Sequence, residues 1–314
     1  MFLSVDGGGT KLRAILFDSD LKICGEGRSG GVNTTQNDPA SVLVHIRECL
    51  DQVLPSVSMI KEAFVIFVGD KKLFEQELRS RVQVERITFF DEPTAGLIAG
   101  CGKYQGLIAI SGTGSDVFYV GPDHRSIVGG WGIVLGDQGS GTWIGLKALR
   151  LVIRSLDDWG HDTLMTPLFL KHFEAEENPR KIVGAVYGAP APFPVVARLV
   201  PLVAQAAEAG DPYALALFED AGRVLGRQML TLLDREHPPE TEITLCGGCW
   251  KAHPLMYESF RNTVLEQYPK MQIHRPWFEH VMAGPMEYLL KNGHSREEAR
   301  SILKASFPKE VIEA

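Results

Sequence analysis

The sequence has few cysteines, no long apolar run and no excess of positive charge, and each shortage excludes a class of protein. The five cysteines (Cys24, Cys49, Cys101, Cys246 and Cys249) are an odd number spread over 314 residues, which favours a reducing compartment over a disulfide framework. No apolar run approaches the roughly 20 residues of a membrane span, and no basic leader precedes the first strand-like segment. The net charge of −7 argues against nucleic acid or an anionic membrane as the main partner. We therefore expect a cytoplasmic protein that binds neither a membrane nor nucleic acid.

What the sequence does contain is the composition of a globular α/β protein. Hydrophobic residues make up 45% of the chain and charged residues 23%, close to globular averages, and the length is enough for two domains. The nine histidines lack metal-binding spacing, so the only metal expected is Mg²⁺ bound with a nucleotide. Cys246 and Cys249 form a C-x-x-C without a second pair, and we interpret both as packing residues.

The spacing of apolar residues predicts strands that alternate with helices. The predicted strands of the first half are residues 2–5, 12–17, 21–26, 63–68, 86–90 and 107–110. A helix is predicted to begin at Pro39, and helices dominate after a second strand–glycine turn–strand unit near residue 112. The longest of them is predicted to begin at Pro212, with Asp211 as its N-cap, and to end near Asp234. This order predicts mixed sheets joined by helical crossovers.

Three glycine-rich turns follow predicted strands. They are residues 6–11 (DGGGTK), 111–115 (SGTGS) and 246–250 (CGGCW). Glycines allow backbone N–H groups to approach an anion, and Asp6, at the end of a strand, is placed to hold a hydrated Mg²⁺ beside phosphates. Each of the first two turns alone is explained equally well by a tight hairpin, and the third alone is a weak signal. Their order along the chain favours a nucleotide site.

In this order the three turns resemble the phosphate-1, phosphate-2 and adenosine motifs of the sugar kinase, Hsp70 and actin superfamily. Residues 129–145 (GGWGIVLGDQGSGTWIG) are similar to the signature of the N-acetylglucosamine kinase group, which shares a family with BadF/BadG/BcrA/BcrD ATPases. The resemblance runs from residue 1 to about 290. It implies an α/β, two-domain actin-like ATPase (ribonuclease H-like) fold with mixed sheets flanked by helices and an interdomain nucleotide cleft. We expect an N-terminal ATPase and sugar-binding domain at 1–112 plus about 296–314, and a nucleotide-binding domain at 113–295.

The resemblance also implies roles for individual residues. Asp6 would organise Mg²⁺, and Asp91 would be the catalytic base that accepts the proton of a sugar 6-hydroxyl. The residues expected at the phosphates and adenosine of ATP belong to the three turns: Gly8, Gly9, Thr10, Lys11, Gly112, Thr113, Gly114, Gly247 and Gly248. The residues expected to contact the sugar are Asn33, Gly130, Trp131 and Asp137. Asp137 has a structural alternative as the N-cap of the helix that contains Trp143, and both roles can hold.

The function that the resemblance implies is an ATP- and Mg²⁺-dependent kinase that phosphorylates the 6-hydroxyl of an amino sugar. The Gly129-Gly130-Trp131 loop favours N-acetylglucosamine or N-acetylmuramic acid, because backbone N–H groups there can bind an acetamido carbonyl. A glucosamine kinase, a BadF/BadG-type regulatory ATPase that drives a partner protein, and a weakly active sugar sensor are the alternatives. Dimers are common in this family, which leaves a homodimer open.

Two departures from the family pattern flank the expected acceptor pocket. Glu92 follows Asp91 where the family usually has alanine, and Gly69-Asp70-Lys71-Lys72 replaces a loop of small residues. They bear on the identity of the substrate more than on phosphoryl transfer.

Overall fold

The computed structural model describes residues 1–34, 37–55, 57–189, 191–239 and 241–312. Within these ranges the chain forms two five-stranded mixed sheets flanked by helices. It divides into two compact units, of which the first contains Met1–Gly106 and Arg275–Ala314 and the second contains Leu107–His274. No helix in the described part of the chain has the length and apolar character needed to cross a membrane.

The first unit is built on a sheet with the strand order β3-β2-β1-β4-β5. Its strands are β1 Phe2–Gly7, β2 Lys11–Phe17, β3 Ile23–Gly30, β4 Met59–Phe67 and β5 Gln83–Phe90. Its helices are α1 Pro39–Val53, α2 Lys71–Arg79, α3 Glu92–Cys101, α11 Ala283–Lys291 and α12 Arg296–Ser306. The strands β1, β2 and β3 pair antiparallel, and β4 and β5 then extend the sheet in parallel with β1. The predicted mixed sheet with helical crossovers is confirmed.

Alternation along β1 gives this sheet two apolar faces. Leu3 and Val5 pack on one face against α1 and α2, whereas Phe2 packs on the other face against α3, α11 and α12. Side chains of successive strand residues point to opposite faces, so Ser4 and Asp6 lie on the same face as Phe2. Asp6 is therefore placed on the face covered by the C-terminal helices.

The second unit is built on a sheet with the strand order β10-β9-β6-β7-β8. Its strands are β6 Gly106–Ser111, β7 Ser115–Val120, β8 Arg125–Gly129, β9 Glu242–Cys246 and β10 Gln272–His274. Its helices are α4 Gly141–Leu156, α5 Met165–His172, α6 Lys181–Tyr187, α7 Pro192–Ala197, α8 Val200–Glu208, α9 Pro212–Glu236 and α10 Pro254–Gln267. The predicted N-cap of α9 is confirmed, because the Asp211 carboxylate accepts the N–H groups of Tyr213 and Ala214.

The C-terminal segment returns to the first unit before residue 296, where the sequence analysis placed the start of its second part. Ser4 of β1 explains this difference: its hydroxyl donates to the carbonyl of Val281 and accepts the N–H of Gly284. These buried hydrogen bonds attach the start of α11 to β1. The first boundary likewise lies at Gly106, where β6 begins, rather than at residue 112.

The third strand also differs from its prediction at residues 21–26. Leu21 has a positive φ of 61° and lies in the turn after β2, so β3 begins at Ile23 and continues to Gly30. Gly25 and Gly27 allow β3 to lie against α1. A Cβ on Gly25 would collide with the carbonyl of Val53, and a Cβ on Gly27 would collide with the carbonyl of Cys49. The apolar pattern did not reveal β3 because α1 packs against its backbone.

We expect Gly27→Ala to destabilise the protein by about 1–3 kcal/mol, since the added methyl group forces α1 away from β3. Gly184→Ala is the matched control: Gly184 lies in α6 with nothing within 4 Å of an added Cβ, so this change should be neutral or slightly stabilising. Urea denaturation of both variants measures the difference. Equal stabilities would contradict the packing of α1 on β3.

Candidate active site

The turn between β1 and β2 is held by its carbonyl groups. Gly8 N–H donates to the carbonyl of Lys11 at 2.9 Å, and the carbonyl of Gly8 accepts the N–H of Val32 at 2.9 Å. The Asn37 amide donates to the carbonyl of Gly9. The N–H groups of Gly9 and Thr10 donate to no group within the described ranges. The turn therefore presents two backbone donors to a ligand, as an anion-binding turn requires.

Asp6 lies near the end of β1 beside this turn, and only 8% of its surface is exposed. Its carboxylate accepts no hydrogen bond from the part of the chain that the structure describes. The imidazole of His280 is close by, with its Nδ1 4.0 Å from Oδ1 of Asp6. A nearly buried carboxylate without donors is costly unless a cation binds it. Asp6 therefore fits a divalent cation such as Mg²⁺, which prefers oxygen ligands.

Asp91 lies at the same edge of the sheet as Asp6. The parallel register pairs Asp6 with Ile66 and Ile66 with Phe90, the residue before Asp91. Asp91 is half-buried and is the N-cap of α3, since its Oδ1 accepts the N–H of Thr94 at 3.3 Å. The carboxyl ends of parallel strands commonly form ligand sites. The structure thus brings the residues predicted as metal ligand and catalytic base to one edge of the first unit.

Asn33 is attached to the same turn through its neighbours. Val32 donates to Gly8, as described above, and the Asn37 amide bridges the carbonyls of Gly9 and Asn33. The segment before α1 is therefore held against the turn, and this places Asn33 at the edge of the sheet that carries Asp6.

Sequence reasoning missed His280 as a member of this site, whereas it noted Glu92 as a departure from the family pattern beside the expected acceptor pocket. Burial raises the pKa of the Glu92 carboxyl, the Asp6 charge raises it further, and His280 opposes both effects. His280 begins the 3₁₀ helix His280–Met282, far from Asp6 in sequence. Only the departure of Glu92 from the family pattern was a signal for either residue.

In the second unit, the turn after β6 is packed against the turn after β9. The carbonyl of Gly112 accepts the N–H of Gly141 at 2.8 Å and the Cys249 thiol at 3.3 Å. Gly247 has a φ of 102°, and a Cβ there would collide with the carbonyl of Ser111. Glycine is required at this position by both conformation and close approach. The predicted phosphate-2 residues Gly112, Thr113 and Gly114 thus lie beside the predicted adenosine residues Gly247 and Gly248.

Asp137 closes the loop between β8 and α4. Only 6% of the Asp137 surface is exposed, and its backbone has a φ of 53°. Its Oδ1 accepts the N–H of Gly132 at 3.0 Å. Its Oδ2 lies 2.8 Å from the position of an added Cβ on Gly114. Burial raises the pKa of Asp137, and the Gly132 N–H opposes that effect. Asp137 therefore packs directly against the predicted phosphate-2 turn.

The alternative role of Asp137 as an N-cap is wrong. The N-cap of α4 is Ser140, whose Oγ accepts the N–H of Trp143 at 3.1 Å. Asp137 lies outside the helix because its positive φ turns the chain before Ser140. Trp131, in the same loop, is 73% exposed. The sugar contacts of Gly130, Trp131 and Asp137 stay predictions.

The cysteines of the C-x-x-C motif are both buried free thiols. Burial raises the pKa of Cys249 to about 11, so its thiol stays protonated and donates to Gly112. Within the described residues, no group of three or more histidine, cysteine, aspartate or glutamate side chains could hold a metal ion.

Comparison with known proteins places this geometry among sugar kinases. The model of the BadF/BadG/BcrA/BcrD ATPase family matches residues 3–281. The chain is 26% identical to an N-acetylmuramic acid/N-acetylglucosamine kinase of Clostridium acetobutylicum, covering 86% of this chain and 92% of the relative. It is 25% identical to an N-acetyl-D-glucosamine kinase of Dictyostelium discoideum, covering 87% and 92%. It is 22% identical to the glucosamine kinase GspK of Vibrio cholerae, covering 79% and 84%.

Solved structures support the fold. A candidate N-acetylglucosamine kinase from Porphyromonas gingivalis has a TM-score of 0.70 at 18% identity, covering 94% of this chain and all of that one. A ROK family glucokinase from Streptomyces griseus, solved with glucose and AMPPNP, has a TM-score of 0.59 at 15% identity, covering 91% and 97%. The expected actin-like ATPase fold is confirmed.

We expect Glu92→Gln to stabilise the protein, relative to wild type, increasingly as the pH rises above 4.5, the ordinary pKa of glutamate. Because the folded state raises the pKa of Glu92, the unfolded chain releases its proton first, and the stability of the wild type falls through this range. Glutamine cannot ionise, so the variant does not lose stability in this way as the pH rises. Melting temperatures in metal-free buffer between pH 4.5 and 8 measure the gap.

The exposed Glu85 of β5 supplies the control for this measurement. Glu85→Gln should keep a nearly constant gap to wild type across the same range. A constant gap for Glu92→Gln would contradict the raised pKa of the Glu92 carboxyl.

Proposed function

The chain belongs to the BadF/BadG/BcrA/BcrD ATPase family, and we propose that it is a kinase that transfers the γ-phosphoryl group of ATP to the 6-hydroxyl of an N-acetylated amino sugar. The observation that carries this proposal is the alignment of Asp6 and Asp91 at one edge of the first unit's sheet. The Asp6 carboxylate accepts no hydrogen bond from the described residues and suits a cation, and the Asp91 carboxylate accepts one from the N-terminus of α3. Phosphoryl transfer needs this combination of charge neutralisation and a positioned proton acceptor.

The glycine turns bind and orient the nucleotide in this proposal. Gly8, Gly9, Thr10 and Lys11 surround the β- and γ-phosphates from the first unit, and the open N–H groups of Gly9 and Thr10 support this role. Gly112, Thr113 and Gly114 would bind phosphate, and Gly247 and Gly248, whose turn packs against theirs, would border the adenosine. Asp6 holds Mg²⁺, which neutralises the phosphate charge when it is bound.

Asp91 orients the acceptor hydroxyl and removes its proton. The hydrogen bond from Thr94 N–H fixes the orientation of the carboxylate. A carboxylate held within about 3 Å of a hydroxyl aligns it for attack and accepts its proton in the transition state. Asn33, at the same sheet edge as Asp91, would orient the sugar ring, and Gly130, Trp131 and Asp137 are the further residues proposed to contact it.

The preference for a 2-acetamido sugar rests on the carboxylates that a 2-ammonium group would need. Asp70 caps α2, where its Oδ1 accepts the N–H groups of Lys72 and Leu73. Burial raises the pKa of Glu92, which disfavours its charged form. Neither carboxylate is well suited to pair with a free amine. The relatives named as kinases of N-acetylated sugars support the same choice, with glucosamine as the alternative acceptor.

We expect Asp91→Asn to lower kcat by about 100-fold or more while sugar affinity survives, because asparagine keeps the shape and the helix cap but cannot accept the proton. Asp70→Asn is the matched control, since Asp70 also caps a helix that follows a parallel strand of the same sheet. Steady-state kinetics and sugar titration calorimetry measure both effects. If both variants lost activity equally, or neither did, Asp91 would not be the base.

Substrate identity is tested by comparing kcat/KM for N-acetylglucosamine, N-acetylmuramic acid, glucosamine and glucose, with ADP release as the signal. We expect kcat/KM for the two acetamido sugars to exceed that for glucosamine by about tenfold. When glucosamine binds, the polar groups that would pair with the acetamido group are left without a partner. If glucosamine led by tenfold, the acetamido preference would be wrong and the kinase proposal would stand. ATP hydrolysis that no sugar stimulates would overturn the kinase proposal.

A further inference from the structure

Arg13 is the cross-strand neighbour of Asp6. The antiparallel register of β1 and β2 pairs the two residues directly, so their side chains lie on the same face of the sheet. Directly opposed residues have Cβ atoms about 5 Å apart, well within the reach of an arginine side chain. By strand register alone, Arg13 is the cation best placed to pair with Asp6.

The structure shows a different pairing. The guanidinium of Arg13 donates to both carboxylate oxygens of Glu310, at 2.6 and 2.5 Å, and lies 3.7 Å from Glu26. The side chains of Arg13 and Glu310 are only 9% and 8% exposed. Among the described residues the ion pairs of Arg13 are those with Glu310 and Glu26, and none joins it to Asp6. A bidentate pair is the strongest geometry available to arginine and carboxylate.

Glu310 is held in place by the backbone around it. It ends the 3₁₀ helix Pro308–Glu310, and its carbonyl accepts the N–H of Glu279 at 3.3 Å. The next residues continue the attachment, because Val311 forms a β-bridge with Phe278 and Ile312 N–H donates to the carbonyl of Trp277. The position of Glu310 therefore depends on the C-terminal segment and not only on Arg13.

We propose that Glu310 is a positioning residue of the metal site: it holds the Arg13 guanidinium away from Asp6 and so leaves the Asp6 carboxylate available to Mg²⁺. This inference rests on the proposed function, in which Asp6 binds the metal. Without Glu310, the nearly buried guanidinium would lose both of its carboxylate hydrogen bonds and keep only the 3.7 Å contact with the half-exposed Glu26, which is strongly unfavourable. Asp6 is its cross-strand neighbour, and a pair between them would compete directly with the cation.

The test measures metal binding directly, with Mn²⁺ as a substitute for Mg²⁺ that is visible by electron paramagnetic resonance. Mn²⁺ is titrated into the full chain in the presence of ADP. Glu310→Gln should weaken Mn²⁺ binding by about tenfold, because Arg13 then pairs with Asp6. The double variant Arg13→Met with Glu310→Gln should bind Mn²⁺ within about twofold of wild type, since the competing cation is gone. This rescue distinguishes positioning from a loss of packing.

Glu77 supplies the matched control. Its carboxylate also pairs with arginines of the first unit, Arg47 and Arg81, but on α2. Glu77→Gln should bind Mn²⁺ as wild type does. Glu310→Asp keeps the buried charge and is used if Glu310→Gln does not fold. The shorter side chain should hold Arg13 less firmly and weaken Mn²⁺ binding by about threefold.

Two results would overturn the role of Glu310 alone. One is wild-type Mn²⁺ affinity in a folded Glu310 variant, and the other is a double variant that binds as weakly as Glu310→Gln. If Asp6→Asn bound Mn²⁺ as tightly as wild type, the metal assignment in the proposed function would fail, and this inference with it.

Discussion

One electrostatic constraint governs the site: a nearly buried carboxylate requires a cation. Asp6 meets this condition at the end of β1, where no described group donates to it and His280 is 4.0 Å away. The glycine turn beside it can accept phosphate only if such a cation offsets the negative charges of both. The strand register then sets which residues lie near Asp6. The parallel strands β4 and β5 bring Asp91 to the same edge of the sheet, and the antiparallel strand β2 places Arg13 opposite Asp6.

The site residues are positioned by close packing of backbone as much as by side chains. Gly247 must approach Ser111 closely for the turn after β9 to lie against the turn after β6. Asp137 adopts a positive φ, which is uncommon for a residue other than glycine, and its carboxylate lies against Gly114. In each unit, residues far apart in sequence hold these elements together: the Ser4 hydroxyl donates to the carbonyl of Val281, and the Cys249 thiol donates to the carbonyl of Gly112.

Motif and periodicity predicted the strands around each glycine turn, the Asp211 cap of α9 and the positions of Asp6 and Asp91 at strand ends. These features arise from residues that are close in sequence, so local chemistry reveals them. His280 and Glu310 were not found because they meet Asp6 and Arg13 only after the C-terminal segment returns to the first unit. The sequence offered Asp137 as an alternative cap of α4 and did not reveal Ser140, because it does not show the positive φ of Asp137 that turns the chain before the helix.

The proposed sugar kinase activity is tested most directly by identifying the molecule that receives the phosphoryl group. Phosphorus and proton NMR of the protein incubated with Mg²⁺, ATP and N-acetylglucosamine follows the reaction without any coupled enzyme. We expect ADP and a sugar phosphate ester in equal amounts, and the phosphorus signal of the ester should show scalar coupling to the two protons of carbon 6. Release of inorganic phosphate at the same rate with and without the sugar would contradict this activity.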